Sequence, residues 1–410
     1  MHLLLALLAA ASAAEMQAPV TFDEALGLAA RAPAVAGAEE AAAVHQDLAR
    51  RVSPLTANPV LLLQPGAGWG PGGSPLGFQG EATLLQGWNL AGLPGARAGS
   101  VRSETEVLLA EARAVALSHR LAAAQAWIEL WAAQQALADA RQEAEIAGDF
   151  AMRVARAAEV AALTRSDAAD ARTYLAEAKL LVLQVEGETV DLGFALAREM
   201  GRAAATPYVA AGALPAPPLP SRTDWPELVA AAQKLPAVRA RQLTARADRS
   251  RELEARAARG FVLGTGVKAT RDYANATYLQ AVLDFNLPLF DLGERERAPY
   301  AAAAARGEGE SAEASARAAT DLARGLHEEE HAREVLDELE KNLVPAASDA
   351  ARLREAAMRA GDATVLDVLL VRRAFAAARA RRTRAEAAAA WARVKLWLLL
   401  SDLASPGGKP

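Results

Sequence analysis

The chain has 410 residues, no cysteine, Lys+Arg 45 against Asp+Glu 50, and a formal net charge of −5. With no basic excess to neutralise phosphate, the balance argues against nucleic acid as a partner, and the missing cysteine removes disulfides, thiolate metal sites, cysteine nucleophiles and a lipid-modified cysteine anchor. The 52% hydrophobic content overstates the core, because about a quarter of the residues are alanine; long, closely packed helices are expected rather than a compact enzyme-sized core.

In chain order, Leu3 to Ala11 form a short apolar run before the small-residue sites Ala11-Ser12-Ala13 and Ser12-Ala13-Ala14. Residues 1–14 are therefore expected to be a signal peptide, with a plain hydrophobic N-terminus as the alternative, since no Lys or Arg precedes the run. Further on, the longest apolar stretch, Ala385 to Leu400, is broken by Glu386, Arg393 and Lys395. A mature chain without a transmembrane helix is then either periplasmic or part of a membrane β-barrel.

Residues 15–205 read as one structural unit: a short helix, strands over about 59–64 and 79–90, then a long helical hairpin over about 99–201. From Gly99 to Ala158 no proline occurs, and Leu117, Leu121, Ala124, Ile128 and Trp131 recur at spacings of four and three, a coiled-coil seam. Some 60 residues at 1.5 Å each give roughly 90 Å. Residues 206–221, with Pro207, Pro215, Pro217, Pro218 and Pro220, read as an extended linker. Residues 222–403 repeat the first unit, with strands over about 260–269 and 276–289 and a hairpin over about 297–402; Leu336, Leu339 and Leu343 continue a seam, Pro299 is expected to start the helix and Pro345 to kink it. Residues 404–410 form a tail.

The duplication is visible in the letters. Thr164 to Asp167 precedes Ala171-Arg172, and 200 positions later Thr364 to Asp367 precedes Val371-Arg372; Trp88-Asn89-Leu90 corresponds to Phe285-Asn286-Leu287. The four strand segments and their turns also gather aromatics: Trp69, Phe78, Trp88, Phe261, Tyr273, Tyr278, Phe285 and Phe290. In the last strand Tyr278, Gln280, Val282, Asp284 and Asn286 share one face, and Leu279, Ala281, Leu283, Phe285 and Leu287 the other. One polar-leaning and one apolar face suit a membrane barrel strand; a soluble hairpin packed on a helix is the alternative. Four strands cannot close a barrel in lipid, so the barrel reading requires further copies of the chain.

Over nearly the whole mature length these residues resemble the TolC family of outer-membrane efflux proteins. Val160 to Asp167 with Ala171-Arg172 is similar to that family's first helix-helix turn, Ala360 to Leu369 to the second, and Asn286 to Gly293 to its strand exit. The resemblance implies a mainly α fold with a small β part: long coiled-coil helical hairpins forming an α-barrel, and four strands per protomer contributing to a 12-strand outer-membrane β-barrel in a homotrimer. It further implies a passive conduit of a tripartite efflux or type I secretion system, served by a periplasmic adaptor and an inner-membrane pump, with outer-membrane lipid around the barrel. The turns Val160, Ala161, Ala162, Leu163 and Gly361, Asp362, Ala363 would contact the adaptor, while Asp167, Thr364 and Asp367 would stand at the pore tip. Leu370 occupies the position of a second ring acid, Ala363 that of a locking arginine, and Ala161 that of a glycine. A weaker resemblance, carried by Asn58-Pro59, Leu84-Leu85-Gln86, Leu90-Ala91-Gly92 and Arg97, is to the CzcC-like cation efflux branch. For both aspartates a second reading, compatible with the first, is an N-cap-like residue starting the returning helix.

His327-Glu328-Glu329-Glu330-His331 matches the H-E-x-x-H zinc-hydrolase pattern. Glu329 and Glu330 stand where core-packed residues would be needed, amid Arg324, Arg333, Glu334 and Asp337, so a solvated helix face is expected, and Glu355 is an unsupported third ligand. No phosphate loop or serine elbow is present. The chain is expected to be no enzyme, with no metal and no cofactor; the competing function is a soluble periplasmic helical adaptor or scaffold.

Overall fold

The computed structural model describes residues 18–53, 58–68, 77–219, 225–272, 276–288, 290 and 293–404. The expected signal peptide, residues 405–410 of the tail, Trp69, Tyr273, Leu289 and the Phe78 side chain lie outside the described residues.

The element order runs twice. First come β1 (Ala18–Thr21), α1 (Phe22–Ala29), α2 (Pro33–Arg51), β2 (Val60–Gly68), β3 (Gly77–Asn89), α3 (Leu93–Glu159) and α4 (Arg165–Glu199). The succession then repeats as β4 (Tyr208–Ala211), α5 (Trp225–Ala232), α6 (Pro236–Ala258), β5 (Val262–Arg271), β6 (Thr277–Asn286), a helical arm of α7 (Glu294–Glu338), a π-helical segment (Leu339–Leu343) and α8 (Val344–Ala360), and finally α9 (Val365–Ala404). The fold is thus mainly helical, with long helical hairpins and a small sheet part. Helices α2 and α6 each open on a proline, whose fixed φ suits the first helical position. Both long arms are launched by a left-handed glycine, Gly92 (φ 83°) or Gly293 (φ 73°), whose carbonyl accepts from the amide four residues on.

Contacts divide the chain into two compact units, each drawing on both halves of the sequence. One comprises residues 1–36, 114–235 and 317–410. Its main core surrounds Trp127, which is fully buried and donates from Nε1 to the Val20 carbonyl at 2.9 Å while Phe22 meets its ring edge-on at 5.5 Å. Leu117, Ala124, Ile128, Leu130, Leu196, Val394 and Leu398 complete it. Over this core β1 and β4 pair in parallel, Ala18 opposite Tyr208 through Thr21 opposite Ala211.

The second unit comprises residues 37–113 and 236–316. It holds an antiparallel sheet in the order β2-β3-β5-β6. Its helices meet through small side chains, as where Gly307 approaches Ala245, and through ion pairs such as Arg251 to Glu104 at 2.7 Å and Arg249 to Glu308 at 3.0 Å. Asn89 ties the sheet to these helices: its Oδ1 accepts from the amides of Ala91 and Leu93, and its Nδ2 donates to the Ala257 carbonyl.

Several expectations are corrected. Strand β2 continues past residue 64 through Pro65, which an edge strand tolerates because no ladder hydrogen bond is needed on its open side. Strand β5 starts at Val262, since Gly260 closes α6 and sits against Ala91 too tightly for a side chain. Tyr208–Ala211, expected within the extended linker, is strand β4. A strand and two helices, rather than one short helix, precede each β pair. Pro299 lies inside α7 instead of starting it, because Gly293 has already set the entry. At Pro345 the preceding turn widens to a π turn, with the Val344 amide donating to the Leu339 carbonyl, just where proline withholds the next α-type bond. That widening breaks the phase of the second seam, leaving Leu336 and Leu339 half-buried and Leu343 exposed.

Candidate functional site

Both hairpins of the first unit turn on one backbone design. At the end of α3 the amide of Ala162 donates to the Ala157 carbonyl and that of Ala161 to Ala158; at the end of α8 Asp362 donates to Ala357 and Gly361 to Met358. These are Schellman motifs, which need a left-handed residue just past the helix. Gly361 supplies it at φ 86° in the second turn, and Ala161 at φ 59° in the first, where it is the one non-glycine with positive φ among the described residues. Val160, Ala162, Leu163, Asp362 and Ala363 fill the rest of the two turns.

The returning helices start alike as well. The Thr164 amide and hydroxyl donate to Asp167 Oδ2 at 2.9 and 2.7 Å, and the Asp167 amide donates back to the hydroxyl at 3.1 Å. For Thr364 and Asp367 the corresponding distances are 3.0, 2.8 and 3.2 Å. Each is a capping box, so the N-cap residue is the threonine and each aspartate is the third helical residue; the reading of the aspartates as N-caps is corrected accordingly. Donation from the Thr364 backbone and hydroxyl, with Arg354 nearby, holds the Asp367 carboxyl below the usual carboxylate range.

The two turns pack together. Phe150, Val154, Ala168, Ala171 and Tyr174 from the first hairpin meet Val365, Val368 and Leu369 from the second, with Leu163 and Met358 at the margin. Three contacts absent from the sequence reading hold this end. Buried Tyr174 donates to Glu143 Oε1 at 2.5 Å; burial first, and the carboxylate second, push its phenol above its ordinary value. Arg373 pairs with Glu177 at 2.7 Å while its guanidinium lies 5.8 Å from the Tyr174 ring centre, and Arg372 pairs with Glu355. Facing outward on α9, Leu366 and Leu370 lie one turn apart and are 54% and 55% exposed.

A second feature belongs to the sheet. Cross-strand register places Leu61, Leu84, Val267 and Ala281 in one row and Leu63, Ala82, Ala269 and Leu279 in another on the same face, joined by Leu283, Leu263, Phe285 and Trp88. The opposite face is polar-leaning: it carries Leu62, Thr83, Lys268 and Gln280 in one row, Gln64, Glu81, Thr270 and Tyr278 in the next, with Lys268 and Glu81 paired at 2.6 Å, and the apolar Val60, Leu85, Gly266 and Val282 in a third. On the apolar face Leu61, Leu63, Leu84, Val267, Leu279, Leu283 and Phe285 are all exposed. Trp88 satisfies its indole N–H on Thr265 at 2.9 Å, so its polar atom is satisfied without water. Strands β2 and β6 each have one unpaired edge among the described residues.

The H-E-x-x-H segment lies on α7. His327 and His331 are exposed, and so is Glu330, but Glu329 is buried and faces Arg393 at 3.6 Å, which corrects the expectation of a wholly solvated face. Glu355, the unsupported third ligand, is engaged by Arg372 instead. Among the described residues no three His, Asp or Glu side chains converge on a metal position, and no helix is long and apolar enough to cross a membrane.

No family model matches the sequence, and no curated protein matches it by sequence. Solved structures do match. CusC, described in terms of folding and transmembrane channel formation, aligns over 92% of this chain and 91% of its own with a TM-score of 0.77 at 14% identity. The outer-membrane channel OprN aligns over 92% and 89% with a TM-score of 0.77 at 17% identity. The open-state MtrE outer membrane channel of Neisseria gonorrhoeae aligns over 92% and 88% with a TM-score of 0.72 at 15% identity. The chain therefore has the fold of the TolC-family outer-membrane channels.

Proposed function

We propose that the chain is the outer-membrane channel of a tripartite efflux or type I secretion system, a passive conduit for cargo delivered by an inner-membrane pump through a periplasmic adaptor. The observation that carries this reading is the sheet: an exposed apolar face, a polar-leaning face behind it, and two edges left open among the described residues. In hydrocarbon an open edge leaves backbone donors and acceptors without partners, each at a cost of several kcal/mol, so the edges must close on further copies of the chain. Three copies of a four-stranded sheet give a 12-strand barrel, with the apolar face toward lipid and the polar face toward water. The solved channels of the same fold support the placement in the outer membrane.

In this reading the paired turns form the periplasmic tip. Val160, Ala161, Ala162, Leu163, Gly361, Asp362 and Ala363 are the adaptor-facing surface, and Asp167, Thr364 and Asp367 stand at the pore entrance. Bound to a threonine through one oxygen, each aspartate keeps its other oxygen for a passing cation. Catalysis has no place in this function, since the pump supplies the energy and selects the cargo.

Expressed in a Gram-negative host, the chain is expected to fractionate with outer membranes and to run as a detergent-resistant trimer that conducts ions in planar bilayers. Recovery as a soluble periplasmic monomer would refute the channel and favour the helical adaptor or scaffold.

A further inference from the structure

The channel reading leaves the His327–His331 segment unused. The two imidazoles occupy successive turns of one face of α7, with ring centres 6.2 Å apart and planes inclined by 15°. Both are exposed, and among the described residues neither has a hydrogen-bond or ion-pair partner. Glu330 and Glu334 are exposed too, and their spacing from His327, three and seven residues, puts them on the same stripe as His331.

The neighbouring acids are differently engaged. Glu328 is held by Arg324 at 2.9 Å and Lys395 at 3.6 Å, and Glu329 by Arg393 at 3.6 Å. In a zinc hydrolase the acid following the first histidine is the base, but here two cations neutralise it and draw it away from the imidazoles. What is left is a pair of imidazole nitrogen donors beside exposed carboxylates, a set suited to holding a metal and unsuited to activating a water on it.

The geometry points to a surface chelate for a divalent transition-metal cation of the imidazole-preferring class, with His327 and His331 as its two protein ligands and water completing the shell. With metal–nitrogen bonds of about 2.0–2.1 Å, two imidazoles have ring centres about 5 Å apart on a tetrahedral ion and about 4.5 Å apart at adjacent corners of a square-planar one. The rings therefore need to close by about 1–2 Å, which side-chain rotation at two exposed positions supplies without disturbing any packing. Glu330 and Glu334 add negative charge along the stripe and raise the local cation concentration. Among divalent ions copper binds such donors most tightly, with nickel and zinc below it. This site does not depend on the channel reading.

The test is calorimetric titration of the whole chain, prepared in detergent without a histidine tag, with copper(II) chloride in a non-coordinating buffer. One site per chain is expected, and His327→Ala and His331→Ala should each weaken it by more than the roughly 10–100-fold that losing a mere outer-shell partner costs a metal site. Both positions are exposed, so the variants should keep the helicity of the unaltered chain by circular dichroism. Bound copper should also show nitrogen hyperfine splitting from two imidazoles by electron paramagnetic resonance, reduced to one in either variant. Equal copper affinity in the unaltered chain and the double variant overturns the assignment, as does a bound-copper spectrum without imidazole nitrogen.

Discussion

Replacing Ala161 by glycine removes the side chain from a backbone that does not favour it. An L-residue in the left-handed region costs about 1–2 kcal/mol through the approach of Cβ to the following carbonyl, while glycine loses about 0.5–1 kcal/mol more on ordering than alanine does. The balance favours Ala161→Gly by about 0.5–1 kcal/mol of local stability in the first turn. The second turn supplies the mirror experiment: Gly361 has φ 86°, and a Cβ added there meets nothing within 4 Å, so Gly361→Ala carries the backbone penalty with no clash to confuse it. Hydrogen exchange reads both. Corrected for intrinsic rates, protection of the amides at 161–163 should rise about two- to fivefold in Ala161→Gly, and protection at 361–363 should fall by a similar factor in Gly361→Ala. If Ala161→Gly leaves protection unchanged or lowers it, the left-handed alanine is not the strained element, and the Schellman argument for this turn fails.

Thr164→Ala removes the N-cap hydroxyl and should cost the start of α4 about 1 kcal/mol, seen as faster exchange in its first turn; unchanged exchange would mean the box does not hold the helix. Because the carboxyl of Asp367 titrates below its ordinary range, its contribution to the second turn is complete above about pH 4 and lost as pH falls through the lower folded value. Protection at 364–367, corrected for the intrinsic pH dependence of exchange, should therefore fall on acidification, and Asp367→Asn should abolish that fall. Tyr174→Phe leaves Glu143 buried without its hydroxyl donor and should destabilise the hairpin end by about 1–3 kcal/mol, with Glu143→Gln recovering part of the loss in thermal unfolding. Leu283→Lys on the apolar sheet face should cost about 2–4 kcal/mol at mid-membrane and reduce the trimer recovered from outer membranes, whereas Gln280→Lys on the opposite face should not.

The helices were legible because alanine, leucine and the positions of proline leave little else for these segments to be. Their burial was less so. The expected seam passed through Leu117, Leu121, Ala124, Ile128 and Trp131 yet missed Trp127, since alanines on either side make several stripes equally apolar and only the position of Val20, over a hundred residues away, decides which indole is enclosed. Strand β1 was hidden for a similar reason: four residues including Pro19 carry no periodic signal, and their pairing with β4 is set by the core beneath. At the turns, the 200-residue echo located both, and the Thr-x-x-Asp spacing already contained the capping box. No local pattern could announce the Tyr174–Glu143 or Arg372–Glu355 contacts, because each joins side chains on different helices and depends on how those helices pack.

The launching glycines bear on the duplication itself. Asn89 and Asn286, which end the strands, are 197 positions apart, whereas Gly92 and Gly293, which launch the arms, are 201 apart, and Thr164 and Thr364, which cap the returning helices, are 200 apart. The surplus of the second half therefore lies between the strand end and the glycine, where seven steps replace three, and from glycine to threonine the second arm is one residue shorter, 71 steps against 72. A substitution transplanted from one half to the other will keep its place along the arm only if the offset is counted from the glycines near the start of the arm and from the capping threonines near its end, never from the asparagines.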